Sequence, residues 1–211
     1  MALNLVHRVR VPAGPEGSRW PAVVMVHGWL GNENVMSIFE RTLPPGVVVV
    51  SPRGPLPMGP ASFGWFARDD DPESFSAGLP ALAGFVRGLP EAYPVDPAHI
   101  LLMGFSQGAA MSFSLLLSEP PLVAAVAGLA GFLPAPGRQW VAPGRLVGKP
   151  VFIAHGTKDE TVPVALAREA AETLRTAGAE VSEHEYQVGH KLNAHGRRDL
   201  TAWLQDVIGN W

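Results

Sequence analysis

The chain has 211 residues, 47% of them hydrophobic, and a formal net charge of −3. That is enough apolar material for one sizeable core and too acidic a balance for a nucleic-acid partner, which needs a basic face. Cysteine is absent, which excludes a disulfide framework, a thiol nucleophile and a thiolate metal site.

The first residues, MALNLVHRVRV, lack a basic segment followed by an apolar one, so no signal peptide is expected. Instead Leu3, Leu5, Val9 and Val11 alternate with polar residues, the pattern of a half-exposed edge strand. Ala22–Val26, Val47–Val50, Ile100–Met103, Val123–Leu129 and Val151–Ala154 are apolar without alternation. Such runs predict strands covered on both faces, as in a parallel sheet. A further strand is expected over Val181–Val188.

Helical patterns fall between the runs: Glu73–Tyr93, with Gly78, Pro80 and Pro90 blurring its ends, then Gln107–Ser118, Pro163–Ala177 and Gly196–Ile208. In Pro163–Ala177, Leu166, Ala170 and Leu174 form the apolar stripe, Thr161 is the expected cap and Gly178 suits the position after the last turn. The acidic run Asp69-Asp70-Asp71 is expected in a solvated loop. The uncharged stretch from Pro120 to Gly137 contains four prolines and is too short in its apolar part to span a bilayer. Strands alternating with helices predict one α/β domain over residues 1–211, with a mostly parallel sheet and helices on both faces. The expected protein is cytoplasmic, with no membrane span.

Gly104-Phe105-Ser106-Gln107-Gly108 sits where an apolar strand gives way to a helix. G-x-S-x-G in that context is a nucleophile elbow: the glycines remove side chains from a tight turn, and the serine hydroxyl is held at the rim of the sheet. A helix cap at Ser106 is the bland alternative, and the partners decide between them.

A serine needs a base, and the base needs an orienting group. His27 and His155 stand at strand ends before Gly28 and Gly156, where backbone packing accounts for them. His99 is expected in a polar turn, and His7 and His184 inside strands. His190, after a strand and Gly189, is the expected base, with His195 as the alternative. Asp159, beyond the strand Val151–Ala154, is the expected acid, with Glu160 beside it. The order Ser106, Asp159, His190 is that of α/β-hydrolases. Oxyanion donors are expected from the backbone amides of Gln107 and of Trp29, the latter in the loop after Ala22–Val26.

HGWLGNE (27–33), GFSQGAAM (104–111), LAGFLP (129–134), HGTKDETVP (155–163) and GH (189–190) together resemble the phospholipase/carboxylesterase family, the acyl-protein thioesterase branch of the α/β-hydrolases. The resemblance spans nearly the whole chain. It implies that Ser106, Asp159 and His190 form the triad, with Trp29 and Gln107 at the oxyanion. Two departures stand out: Ala109 where members often carry a second glycine, and Trp29-Leu30 where a glycine-rich loop is common. Trp29 is expected to narrow the acyl pocket.

The Pro/Gly-rich loop after Val47–Val50 carries Phe63, Trp65 and Phe66, and Phe132 and Leu133 follow Val123–Leu129. These aromatic and aliphatic residues either line an acyl site or seal the core. Arg53 meets a substrate anion or forms a structural ion pair. No cofactor and no metal are expected, since HEXXH and GxxxxGK[ST] are missing. The expected function is a serine hydrolase acting on a small-molecule carboxylic ester or thioester, with a peptidase, an acyltransferase or a non-catalytic binding module as rivals. A monomer and a homodimer are both compatible with the sequence.

Overall fold

In the computed structural model, which describes residues 3–67 and 72–211, the apolar runs pair side by side. The strands are β1 (His7–Arg10), β2 (Trp20–Val26), β3 (Val48–Pro52), β4 (Leu56–Gly59), β5 (Ser62–Gly64), β6 (Val95–Phe105), β7 (Ala125–Leu129), β8 (Pro150–Gly156) and β9 (Glu180–Tyr186). The α-helices are α1 (Pro72–Ala92), α2 (Gln107–Ser118), α3 (Val164–Thr176) and α4 (Ala194–Gly209). Seven strands form one sheet in the order β1-β3-β2-β6-β7-β8-β9, antiparallel only at the β1 edge. β4 and β5 form a separate antiparallel hairpin. The acidic run Asp69-Asp70-Asp71 lies outside the described residues.

Both faces of the sheet are covered, which is why the central runs show no alternation. Val24, Val26, Leu102, Val126 and Ile153 pack with residues of α1, α2 and α3, such as Phe85, Phe113 and Leu174. Their neighbours Val23, Met25, Leu101, Met103 and Phe152 pack with Leu200 and Leu204 of α4 and with Met36 and Phe39. The latter two lie on a 3₁₀ segment, Val35–Thr42.

Several elements differ from the sequence reading. β6 starts at Val95, so His99 lies within a strand rather than a turn; it pairs with Asp96 at 3.0 Å and stacks on Trp211. Neither Pro80 nor Pro90 ends α1. Gly78 has a packing role there, because a Cβ would run into the carbonyl of Trp65. Thr161 does not cap α3: the N-cap is Pro163, and the Thr161 amide donates instead to Asp159 Oδ1. At the other end Gly178 has φ of 99°, and the amides of Gly178 and Ala179 donate to Arg175 and Leu174. That pair of bonds is a Schellman motif, in which glycine avoids the left-handed Cβ clash. The buried stripe of α3 is Ala167, Ala170, Ala171 and Leu174, with Leu166 left at its edge.

Candidate active site

From β2 the chain crosses to β3 on one side, while β6, its other neighbour, leads outward through β7, β8 and β9. The crevice above the carboxyl ends of β2 and β6 is therefore the topological switch point, where ligands bind in open α/β sheets. The loop from His27 and the turn at Ser106 both open there. They are in intimate contact: a Cβ on Gly108 would fall onto the Val26 and His27 carbonyls, and one on Gly28 would lie 3.3 Å from Ser106 Cβ. Gly104 has no room either, being backed by Gly108 and Ala109.

Ser106 has φ 53° and ψ −117°, a strained conformation for a residue with a Cβ. Its amide donates to the Leu129 carbonyl at 2.8 Å, and its carbonyl accepts from Ala109 and Ala110, opening α2. Gln107 is the first residue of α2, so its amide has no acceptor within the helix. The Gln107 side chain is spent elsewhere: Oε1 accepts from the Trp65 amide at 2.8 Å and Nε2 donates to the Phe66 carbonyl at 2.7 Å. It thereby ties the hairpin region to the elbow.

The loop carrying Trp29 is held by His27, which is fully buried. Its Nδ1–H donates to the Gly28 carbonyl at 2.7 Å and Nε2 accepts from the Gly54 amide at 2.8 Å. A carbonyl can only accept and an amide only donate, so the ring is neutral with a fixed tautomer. Burial pushes its pKa down, against the Gly28 bond and Glu33, which act upward. Trp65 donates its indole N–H to the His27 carbonyl at 2.9 Å. Leu30, at φ 60°, completes the bend.

Asp159 is buried, with no side-chain exposure. Its Oδ1 accepts from the amides of Thr161 and Val162, both at 2.9 Å, and its Oδ2 accepts from His190 Nδ1 at 2.7 Å. Burial alone would raise the carboxyl, but the Val162 amide, the His190 N–H and the Thr161 amide outweigh it and hold the group below the ordinary aspartate value. His190 is 23% exposed at its side chain, edges onto Phe105 at 5.0 Å, and lines the same cavity as Ser106. With Nδ1 donating to Asp159, Nε2 is the accepting nitrogen. His195 instead stacks on Tyr186, with 6.5 Å between ring centres, and Glu160 is exposed.

A second imidazole reaches the same carboxylate. His155 Nε2 donates to the Val162 carbonyl at 2.8 Å and lies 3.3 Å from Asp159 Oδ2, while its Nδ1 is buried without a partner. From the sequence alone, this residue and His27 are accounted for by backbone packing before a glycine. The repeated His-Gly pair at two strand ends was the available signal, and both rings brace a loop of this site.

A model of the phospholipase/carboxylesterase family matches residues 15–208. The chain belongs to that family. Acyl-protein thioesterase 1 of Saccharomyces cerevisiae is 31% identical over 122 residues, 55% of this chain and 53% of that protein. The chain thus spans about half the length of that relative. The acyl-protein thioesterase 1 of Debaryomyces hansenii is 24% identical across 97% of this chain and 98% of its own. Among solved structures, the Bacillus cereus carboxylesterase superposes with a TM-score of 0.85 at 25% identity, covering 97% of this chain and 95% of that one. The fold is the α/β-hydrolase fold.

In this phospholipase/carboxylesterase family member two cavities open on Ser106. One, of 510 Å³, also reaches His190; the other, of 270 Å³, reaches Gln107, and Trp29 and Thr161 line both. Of the residues expected to contact substrate, Trp29, Phe66 and Phe132 face the smaller cavity. Trp65 and Leu133 line neither cavity and are core residues; Phe66, as deeply buried as Leu133, still forms part of the smaller cavity's wall. Phe63 lies in the hairpin strand β5, bridged to Gly31, with the Arg53 guanidinium 4.4 Å from its ring centre. Arg53 is a structural ion-pair partner, bidentate to Glu33 with both bonds at 2.7 Å.

A wider cavity of 820 Å³ lies near Pro97 and Ile100, toward the amino end of β6, away from Ser106. Its polar side chains are already engaged, Arg87 with Glu119 and Arg145 with the Leu117 and Ser118 carbonyls. Among the described residues no group of three or more His, Asp or Glu is arranged to hold a metal, and no helix is long and apolar enough to cross a membrane.

Proposed function

We propose that this protein is a serine hydrolase that cleaves carboxylic esters or thioesters through an acyl-enzyme. His190 Nε2 takes the Ser106 proton as Oγ attacks the carbonyl carbon, and Asp159 orients the ring and balances the imidazolium. The amides of Trp29 and Gln107 receive the oxyanion. Collapse expels the alcohol or thiol, which takes the proton from His190; water, deprotonated by the same nitrogen, then releases the acid and restores Ser106.

The observation that supports this reading is one conjunction. A strained Ser106 at the switch point shares a cavity with His190, whose Nδ1 is 2.7 Å from the buried carboxylate of Asp159. The thioesterase and carboxylesterase names borne by relatives agree with it. A fluorophosphonate probe is expected to label Ser106, and Ser106→Ala is expected to abolish labelling and lower turnover of p-nitrophenyl acetate by roughly 10⁴- to 10⁶-fold. Near-normal turnover by that variant would overturn the reading.

A further inference from the structure

Two cavities meet at Ser106, but His190 lines only one of them. That asymmetry orients the substrate, provided the serine-hydrolase reading holds. When the tetrahedral intermediate collapses, the bond from carbon to the leaving oxygen or sulfur breaks, and that atom needs the proton carried by His190. The leaving group must therefore lie on the His190 side, and the acyl chain is left with the other cavity. The walls of the two spaces differ in the same sense. The 270 Å³ cavity is lined by Trp29, Phe66, Phe132, Val162 and Leu166 and by no charged group. At about 30 Å³ per water-sized group, its 270 Å³ has room for roughly nine such groups, a short to medium acyl chain and less than a dodecanoyl one.

The 510 Å³ cavity is apolar along Leu30, Val35, Ile38 and Phe39, and carries two cations, Lys191 and Arg197. Among the described residues neither forms an ion pair with a carboxylate, and the Arg197 guanidinium stands 6.0 Å from the centre of the Phe39 ring. Past Ile38 and Arg197 the surface continues into a depression of 340 Å³ lined by Arg41 and Arg198. In a chain of net charge −3, four cations gathered on one flank of the site favour a ligand of opposite sign there. We infer that the enzyme takes a short to medium acyl group toward Phe66 and Phe132, and a bulkier, partly apolar leaving group bearing a carboxylate or phosphate toward Lys191 and Arg197.

The test uses matched aryl esters. With one leaving group, kcat/KM is expected to fall at least about 10-fold from the butanoyl to the dodecanoyl ester. With the acetyl group held constant, 4-carboxyphenyl and 4-(phosphonomethyl)phenyl esters are compared with the neutral 4-carbamoylphenyl ester. The anionic esters are expected to be favoured about three- to fivefold, chiefly through KM, the scale of an exposed charge pair. Whichever anion is favoured more names the group. The preference is expected to shrink toward unity at high salt and in the double variant Lys191→Gln/Arg197→Gln, whose folding is checked by its melting temperature. A preference for long acyl chains, or a charge preference unmoved by both salt and the double variant, overturns the inference while leaving the hydrolase reading intact. Inertness toward every ester, with Ser106 unlabelled by fluorophosphonate, overturns both.

Discussion

His155 and His190 meet at one oxygen: Oδ2 of Asp159 lies 2.7 Å from His190 Nδ1 and 3.3 Å from His155 Nε2. The second ring is locked by its bond to the Val162 carbonyl, so it fixes the carboxylate and the Asp159–Val162 loop together. His155→Gln is expected to lower kcat about 10- to 100-fold with little change in KM, because the carboxylate loses a fixed rest position and misdirects His190. Steady-state kinetics on a p-nitrophenyl ester, beside a melting curve, checks this. A change in KM alone would mean that His155 acts on substrate binding and not on Asp159.

Asp159→Asn probes the same oxygen by a different route. The amide oxygen can still accept from Thr161 and Val162, but its NH₂ then faces His190 Nδ1 and forces the opposite tautomer. A loss of about 10⁴-fold in kcat is expected, with the fold preserved.

The contact between the elbow and the Trp29 loop makes two glycines separable. Gly108→Ala places a methyl against the Val26 and His27 carbonyls, backbone that cannot move aside. It is expected to cost roughly 1–3 kcal/mol and to lower the melting temperature by about 2–12 °C. Gly28→Ala meets Phe105 and Ser106 only at 3.2–3.4 Å, so its effect is expected in kcat first and in melting temperature little.

Glu33 supplies a pH signature. Its bidentate bonds to Arg53 lower its pKa from the ordinary 4.5 to about 2. The folded value lies below the unfolded one, so the pair's stabilisation is fully present above about pH 4.5 and fades as pH falls toward 2. The stability gap between the native chain and Glu33→Gln is expected to be widest near neutrality and to close through that window, as chemical denaturation at stepped pH would record.

Much of the fold was legible because its causes are local. Runs apolar on both faces mark β2, β3, β6, β7 and β8; the amino-terminal alternation points to an edge strand, but β1 covers only His7–Arg10 and leaves Val9 and Val11 exposed. Gly178 ends α3 for a reason visible in one residue. The hairpin β4–β5 was not legible: it is short, rich in proline and glycine, and held by Gly31 at Phe63 and by Gln107 at Trp65 just beyond it. Whether Trp65 and Leu133 lined a pocket or sealed the core was open in the sequence, since either use needs only a large apolar side chain. The four-residue spacing puts Leu166 in the helix stripe, yet it lies at the stripe's edge and against the smaller cavity.

By itself the sequence determined where a sharp turn could place Ser106, which strands would be sheathed on both sides, and which few acids and imidazoles stood at strand ends. Those follow from periodicity and from the steric freedom of glycine, which act over a handful of neighbouring residues. Only the tertiary structure decided that His190 and not His195 meets Asp159, that His155 joins them, and that Ser106 faces two unlike cavities. Such relationships bring together residues dozens of positions apart in the chain. Their separations depend on how layers of helix and sheet pack, and no local pattern encodes that.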